Sequence, residues 1–291
     1  MFGSVYKNTC KNLLRSVTFW LTFTVLCVIT ARAFMNYVVQ AQSAGPGNIH
    51  VDLGIELPVI QGMSVDSYRN LFNNVLVADL LMYAAPIFGV ITTVLTLNRD
   101  HGDKFFEIEK AAGIKPFSYT AGRIAALLTV NGVILLLLSG FLAYGRIALE
   151  GGVDGMSFGY MLIHSLPRLL MVNLLLGLPC LFFYIGMSYA VGSLFGHGIP
   201  SMVTGCGYVM FYYVVFMLFR HRLAPDYFSY YAPVPRALRS VLDAYCYGDP
   251  AVYMRSSGYD LWDALHGLTF LLLFGAVCWG IAFLRTKKRT V

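Results

Sequence analysis

The sequence predicts an all-α membrane protein with six transmembrane helices and with both termini in the cytoplasm. Hydrophobic residues make up 57% of the 291 residues and charged residues only 12%, which is about half the charged share of an ordinary soluble domain. A soluble protein of this size would need more charge to wet its surface, so the surplus apolar surface must face lipid. Six runs also reach the roughly 20 apolar residues that a helix needs to cross a bilayer.

The six predicted spans follow one another with no second globular domain between them, so residues 1–291 are predicted to form a single transmembrane domain. The first span follows Lys7, Lys11 and Arg15 and passes through ARA, which is typical of a signal-peptide cleavage site. Apolar residues resume directly after Ala33, which favours a complete span instead. The fourth and fifth spans contain no charge. The spans lie near residues 17–39, 74–97, 124–144, 169–191, 199–219 and 264–284.

The distribution of lysine and arginine sets the predicted orientation, because cytoplasmic segments carry an excess of both. With the N-terminus inside, six spans return the C-terminal RTKKRTV to the same side, and every lysine in the chain falls there. We therefore interpret the net charge of +6 as membrane orientation and not as nucleic-acid binding, since no basic patch is interleaved with aromatics on a soluble domain. Residues 98–117 are then cytoplasmic, and residues 40–73, 145–168 and 220–263 lie outside.

The most polar window of the chain, RDHGDKFFEIEKAAGIKP, lies in the cytoplasmic loop. Its pattern predicts a short amphipathic helix with Phe105, Ile108 and Ala112 on one face and the charged residues on another. Gly113 suits the position that ends such a helix. The residues alone fit two interpretations equally. The helix either docks on a partner protein or lies on the inner leaflet with Phe105 and Phe106 in lipid.

Over its whole length, the chain resembles the permease subunits of ATP-binding-cassette transporters of the second exporter type. In motif, the resemblance rests on residues 99–123, which contain a charged turn with Gly102, the acidic amphipathic helix, and AAGIKPFSYTAGR opening the next span. It implies that this helix is a coupling helix that fits into a cleft on an ATPase, and that the inner turn SLFGHGIP makes a second, smaller contact. The residues assigned in this way to the ATPase contact are Asp103, Lys104, Phe105, Phe106, Glu107, Glu109, Lys110 and His197.

The resemblance further implies partners and a transport role. A separate ATPase subunit would carry ATP and Mg and drive export of an amphipathic substrate, such as a peptide, a lipid-linked molecule or a drug. A second permease copy, or a related chain, would complete the path in the plasma membrane of a bacterial cell. The chain itself has no G-x-x-x-x-G-K-[ST] phosphate loop, so no cofactor and no ATP hydrolysis are predicted for it.

Enzyme and metal chemistry find no support in the sequence. There is no H-E-x-x-H or G-x-S-x-G motif. The six cysteines show no C-x-x-C pair and the six histidines are scattered, so no metal site is predicted. The alternatives that remain are a secondary transporter or channel, and a membrane sensor or immunity protein that binds its ligand at the outer segments. The first is weakened by the absence of an internal repeat.

Two charges stand inside the predicted spans, Arg32 in the first and Asp79 in the second, at similar depths. Because a lone charge in hydrocarbon is costly, a pair is expected. The pair either lines the outer end of a translocation path or has only a local structural role, with Arg32 snorkelling to the headgroups. In the fifth span, Tyr208 and Tyr212 either line the path or face lipid and the helix bundle.

Overall fold

The computed structural model describes residues 2–43, 85–102, 107–108, 111–154, 173–219, 238 and 261–288. The regular elements of these residues are all helical, in agreement with the predicted all-α class. One π-helical segment, Asn173–Gly177, leads directly into an α-helix. The α-helices are α1 (Phe2–Leu14), α2 (Val17–Ser43), α3 (Ala85–Gly102), α4 (Pro116–Asp154), α5 (Leu178–Phe195), α6 (Gly198–Phe219) and α7 (Leu261–Lys288).

Three of the described helical segments are long and apolar enough to cross a membrane: Pro116–Phe141, Asn173–Phe195 and Leu261–Lys287. A fourth candidate appears if α1 and the first part of α2 are taken together, as a pair bent by 65°. The described residues therefore form an all-helical protein with three or four candidate membrane spans.

The bend between α1 and α2 has a local cause. The serine that separates them, Ser16, accepts a hydrogen bond through its hydroxyl from the backbone N–H of Phe19, 3.4 Å away. A serine in this position caps the first turn of a new helix. Before the bend, the chain buries Val5, Thr9 and Leu13 of α1 against the bundle. The segment that precedes the predicted first span is therefore a packed helix.

Helix α4 is longer than the predicted third span. It begins at Pro116 and runs to Asp154, a length of 39 residues, or about 58 Å at 1.5 Å per residue. That exceeds the roughly 30 Å of a bilayer's hydrocarbon core. Proline favours the first helical position, because its missing N–H would have no partner there. Pro116 is therefore a favourable first residue for this helix.

The core of the bundle is built around α5, which packs against α3, α4, α6 and α7. Tyr184 and Ile185 of this helix are fully buried. Close approach is possible because small residues stand at the contacts: a Cβ added at Gly205 of α6 would lie 2.5 Å from the Val90 side chain of α3. Small residues at helix crossings let backbones pack closely in a membrane, where hydrophobicity alone does not drive association.

Candidate functional site

One end of the bundle gathers five chain segments that are far apart in sequence: α1, the end of α3, the start of α4, the turn between α5 and α6, and the end of α7. Arg99 of α3 donates a hydrogen bond from Nη1 to the backbone oxygen of Asn12 in α1, at 3.4 Å. Phe117 of α4 stacks on Phe283 of α7 with ring centroids 5.0 Å apart. We call this the basal end of the bundle. Of the segments assigned by resemblance to the ATPase contact, it includes the turn with His197, and α3 and α4 flank the loop that contains Glu107.

The Asn98 side chain joins the end of α3 to the start of α6. The Asn98 Oδ1 atom, near the end of α3, accepts a hydrogen bond of 2.9 Å from the backbone N–H of Gly198, the first residue of α6. This satisfies one of the donors that every helix start leaves unpaired. The packing is tight, since a Cβ at Gly198 would lie 2.5 Å from the same oxygen. The helix that enters the predicted coupling loop and the inner turn are therefore held in a fixed relation.

The inner turn between α5 and α6 is two residues long. Gly196 has a φ of 79° and donates its backbone N–H to the oxygen of Gly192 at 2.9 Å. This left-handed residue ends α5 in the way that glycine commonly ends helices. The GSLFG sequence is thus a helix end and a tight turn. It leaves His197 exposed at the tip, where another molecule can reach it.

The described part of the predicted coupling helix shows an exposed apolar side chain. Glu107 and Ile108 are helical, and the Ile108 side chain is 61% exposed. The backbone N–H of Ala112 donates to the oxygen of Ile108 at 3.0 Å, and Gly113 has a φ of 78°. The glycine therefore adopts the left-handed conformation predicted for the residue that ends this helix. Ala112 is exposed as well, so two of the three residues on the predicted apolar face lie open.

On the other side of the loop, the start of α4 is fastened to α1. Gly122 lies directly under this helix, because an added Cβ would meet the Val5 side chain at 3.0 Å. One residue later, the buried Arg123 donates from Nη2 to the Tyr119 hydroxyl at 3.0 Å, and its guanidinium carbon lies 4.9 Å from that ring's centroid. A movement of the loop would thus reach α1 and α4 together.

The structure describes only part of the predicted contact set. Glu107 and His197 are both exposed and lie at the basal end. The other six contact residues fall outside the described residues: Asp103, Lys104, Phe105, Phe106, Glu109 and Lys110.

The predicted path residues are described even less fully. Asp79 lies outside the described residues, and Arg32 and Tyr212 lie in helices whose side chains are not described at these positions. The proposed pairing of Arg32 with Asp79 therefore stays a prediction. Tyr208 is half-buried and packs its ring 6.1 Å from those of Phe183 and Tyr184. It belongs to an aromatic cluster between α5 and α6.

Sequence reasoning missed the residues that hold the basal end together. In the sequence, Asn98 is only the first residue of the predicted cytoplasmic loop, and Arg123 is one more basic residue on the predicted cytoplasmic side. Nothing in the local pattern predicted that Asn98 would cap a helix 100 residues further on. Gly198 gives one indication. It directly precedes a new apolar run, and glycine has no side-chain oxygen that could cap the helix beginning there, so another residue must supply the cap.

Metal ligands are not grouped in the described part of the chain, where no cluster of three or more His, Cys, Asp or Glu side chains is found. Five cysteines of that part are free thiols: Cys10, Cys27, Cys180, Cys206 and Cys278.

Comparison with known proteins decides among the interpretations that the sequence left open. The family model for the ABC-2 family transporter protein matches residues 15–284, which is most of the chain. The chain belongs to the ABC-2 transporter family. It is a multi-pass membrane permease without catalytic residues of its own. Permeases of this family carry no cofactor, and they pair with an ATPase that is a separate subunit. No curated protein and no solved structure gives a significant match to the chain.

Family membership favours the transport interpretation over the channel and sensor alternatives. It also makes the basal end a candidate for the ATPase contact, since an ABC-2 permease must contact its ATPase somewhere on its surface. The basal end offers an exposed apolar side chain at Ile108 and an exposed turn at His197, and this turn is held to the end of α3 by the hydrogen bond between Gly198 and Asn98.

Proposed function

We propose that this permease is the membrane half of an ATP-driven exporter, and that the ATPase subunit grips the basal end. The helix from Asp103 to Lys110 enters a cleft of the ATPase, and the turn at His197 makes a second contact. Six spans cross the plasma membrane with both termini in the cytoplasm. A second permease copy or a related chain completes the path for an amphipathic substrate, because six helices are too few to enclose one alone.

The observation that carries the proposal is the 2.9 Å hydrogen bond from Gly198 N–H to Asn98 Oδ1. A force applied at a contact moves a helix only if the contact is rigidly connected to that helix. The bond connects the end of α3, where the predicted coupling loop begins, with the start of α6. The neighbouring Ser201 hydroxyl then donates to the Ser188 oxygen at 2.6 Å and links α6 to α5. A push on either contact would therefore move α3, α5 and α6 as one unit.

The exposure of Ile108 supports the same proposal. When a partner covers an exposed apolar side chain, the free energy of the complex falls by roughly 25 cal/mol per Å² of apolar surface buried. Glu107 beside it supplies charge for a complementary cationic surface. The shape expected on the ATPase is therefore an apolar cleft with a basic rim.

Charge reversal tests the proposal. The permease is co-expressed with its ATPase subunit, purified in mild detergent, and assayed for bound ATPase and for Mg-ATP hydrolysis coupled to transport. Glu107→Lys should lower affinity for the ATPase about tenfold or more, since like charges facing each other across an interface cost several kcal/mol. The control is Asp263→Lys, an acidic-to-lysine change in the first turn of α7, away from the basal end. Equal retention and equal coupling in both variants would reject the basal end as the ATPase contact.

A second variant separates docking from transmission. Asn98→Ala removes the acceptor of the Gly198 N–H and leaves the exposed residues in place. The ATPase should still bind, but the ratio of transport to ATP hydrolysis should fall, and Asn98→Asp should restore part of it because aspartate also caps helices. A normal ratio in Asn98→Ala would show that the bond transmits nothing.

A further inference from the structure

We infer that the furrow between α4 and α7 at the basal end binds a phospholipid with an anionic headgroup. The inference goes beyond the export function and needs neither ATP nor the ATPase. It rests on a pair of aromatic rings that joins the two helices, on open space on the membrane side of these rings, and on basic groups on their basal side.

The two helices meet at the basal end through a pair of aromatic rings. Phe117, in the first turn of α4, stacks on Phe283 of α7 with ring centroids 5.0 Å apart and an interplanar angle of 19°. The stack is open to its surroundings, since the Phe117 side chain is still 71% exposed. It lies at the edge of the membrane, because the two segments that can cross a bilayer, Pro116–Phe141 and Leu261–Lys287, begin and end beside it.

On the membrane side of the rings, the two helices leave a furrow. Residues three or four apart share a face of a helix, so Ala121 follows Phe117 on α4 and Gly280 precedes Phe283 on α7. Gly280 is half-buried, and yet a Cβ added there would meet no atom within 4 Å. Ala121 is also half-buried and contributes only a methyl group. The space beside these two positions is therefore open.

The furrow continues along both helices towards the middle of the membrane. The next residues on the same faces are again small: Ala125 on α4 is half-buried and Ala276 on α7 is exposed. Leu284, beside Phe283, is 64% exposed. An empty furrow would forfeit dispersion contacts along its walls, and an acyl chain that lies along the helices restores them.

The basal side of the rings carries positive charge. Lys287 is one turn beyond Phe283 on α7, and Lys115 directly precedes the first residue of α4; both lysines are exposed. The first turn of α4 adds the backbone N–H groups of Phe117 and Ser118, which have no acceptor within the helix. These groups and the helix dipole favour a phosphate at the N-terminus of a helix.

The adjoining parts of α4 and α7 supply no carboxylate to these basic groups. In the sequence, no aspartate or glutamate lies between Glu109 and Glu150, and none follows Asp263. An anionic headgroup supplies the complementary charge at this level, while its acyl chain lies in the furrow. A zwitterionic lipid also has a phosphate, but it brings its own ammonium group close to the two lysines, which lowers the attraction.

Other occupants fit the furrow less well. A partner at the membrane surface, such as the ATPase, does not reach Ala121 and Gly280, which lie about one turn inside the membrane-crossing segments. A second copy of the chain would bring its own basic residues to the same level, because every lysine falls in a segment predicted to be cytoplasmic. A phospholipid with an anionic headgroup accounts for both the open furrow and the basic groups.

The test measures which lipid lies in the furrow. The full-length permease is reconstituted without its ATPase in phosphatidylcholine vesicles. A few per cent of the lipid carries a photoactivatable diazirine on its acyl chain, with either a phosphatidylglycerol or a phosphatidylcholine headgroup. After illumination, peptide mass spectrometry gives the labelling of residues 121–128 and 276–284. At low salt, phosphatidylglycerol should label both segments about fivefold or more strongly, since one basic residue near an anionic surface contributes about 1 kcal/mol.

Paired charge variants locate the headgroup. Lys115→Gln with Lys287→Gln should bring the ratio of labelling by the two lipids close to one. The control is Lys7→Gln with Lys11→Gln, which removes two exposed lysines from α1 at the same end and should leave the ratio high. About 1 M salt should lower the ratio in the unsubstituted permease, because the screening length falls to about 3 Å.

A second pair of variants tests the furrow itself. Gly280→Leu fills the open space and should lower labelling by phosphatidylglycerol several-fold. Gly207→Leu in α6 is the control, because Gly207 is likewise half-buried and a Cβ there also meets no atom within 4 Å. This change should leave labelling of the furrow as it is. Since neither added Cβ meets a protein atom, both variants are expected to fold.

The inference fails if both lipids label the furrow equally, or if the preference survives Lys115→Gln with Lys287→Gln. It also fails if Gly280→Leu and Gly207→Leu are labelled alike. Weak labelling by both lipids that rises when the permease is diluted into more lipid would assign the furrow to a second copy of the chain. If the lysine variant does not fold, the headgroup ratio of the unsubstituted permease and its salt dependence still decide.

Discussion

Two membrane segments of nearly equal hydropathy differ sharply in what surrounds them. Asn173–Phe195, which includes α5, has a mean hydropathy of 1.9 and is 67% buried in its most apolar window. Leu261–Lys287 of α7 has a mean hydropathy of 2.2 and is only 28% buried. The more apolar helix is the more exposed one. Hydropathy therefore predicts that a helix crosses the membrane, but not which helix forms the centre of the bundle.

The difference lies in small and polar side chains. In α5, the buried set includes Gly186, Ser188, Ala190 and Gly192, which let neighbouring helices approach. In α7, the side chains around Leu273 are exposed, and lipid tails that cover such a surface in a membrane are as apolar as leucine itself. A lipid-facing leucine therefore gains little from being covered, whereas a buried one contributes packing that lipid does not replace.

The largest expected effect comes from truncating one leucine in each helix. Leu181→Ala in α5 should lower the free energy of unfolding by about 3 kcal/mol, because a buried leucine leaves a cavity behind. Leu181 is 1% exposed and Leu273 is 61% exposed. Leu273→Ala should cost less than about 1 kcal/mol, since acyl chains fill the space. Unfolding in detergent micelles containing lipid measures both. Equal losses would contradict the assignment of α5 as central.

Adding volume should sharpen the same contrast with a somewhat smaller effect. Gly186→Leu places a side chain where even a Cβ would lie 2.8 Å from Trp279 Nε1, whereas a Cβ at Gly280 meets no atom within 4 Å. Overpacking should cost about 2 kcal/mol in Gly186→Leu, and Gly280→Leu should be nearly neutral. Thermal unfolding midpoints give the comparison, and a tolerated leucine at Gly186 would show that α5 and α7 are not in close contact.

The smallest effect concerns the polar anchor of α7. The Trp279 indole N–H donates to the Phe182 oxygen of α5 at 3.2 Å, so Trp279→Phe should lose about 1 kcal/mol. Trp262, in the same helix, is 79% exposed, and Trp262→Phe serves as the control with little change expected. If the two substitutions shift the unfolding midpoint equally, the hydrogen bond contributes nothing specific.

The sequence was sufficient for the class, the family and the local ends of elements. Apolar runs predicted the helices, and glycine chemistry predicted the helix end at Gly113, which is left-handed. These features depend on a few neighbouring residues, so one stretch of sequence contains all the information. The position of the inner turn between two uncharged helices was likewise readable from its glycines.

The contacts between helices could not be predicted in this way. The neighbouring sequence does not distinguish Asn98 from other polar residues at helix ends. Its role depends on Gly198, which the fold places beside it. The packing of α1 on α4 depends equally on the absence of a side chain at Gly122, which the sequence marks only as part of the motif that opens a span. In lipid, moreover, burial is not encoded by hydrophobicity, so the sequence does not mark which side of a span meets protein.

The two-residue turn between α5 and α6 has a consequence for biosynthesis. With so short a connection, α5 and α6 form one helical hairpin, and if both cross the bilayer, as the sequence predicts, we expect them to be inserted together. Residues 173–219 contain no lysine, arginine, aspartate or glutamate, so the hairpin itself carries no charge signal for its orientation. Its direction must therefore be set by the charged segments on either side of it, so the orientation of this uncharged pair depends on residues that lie outside it.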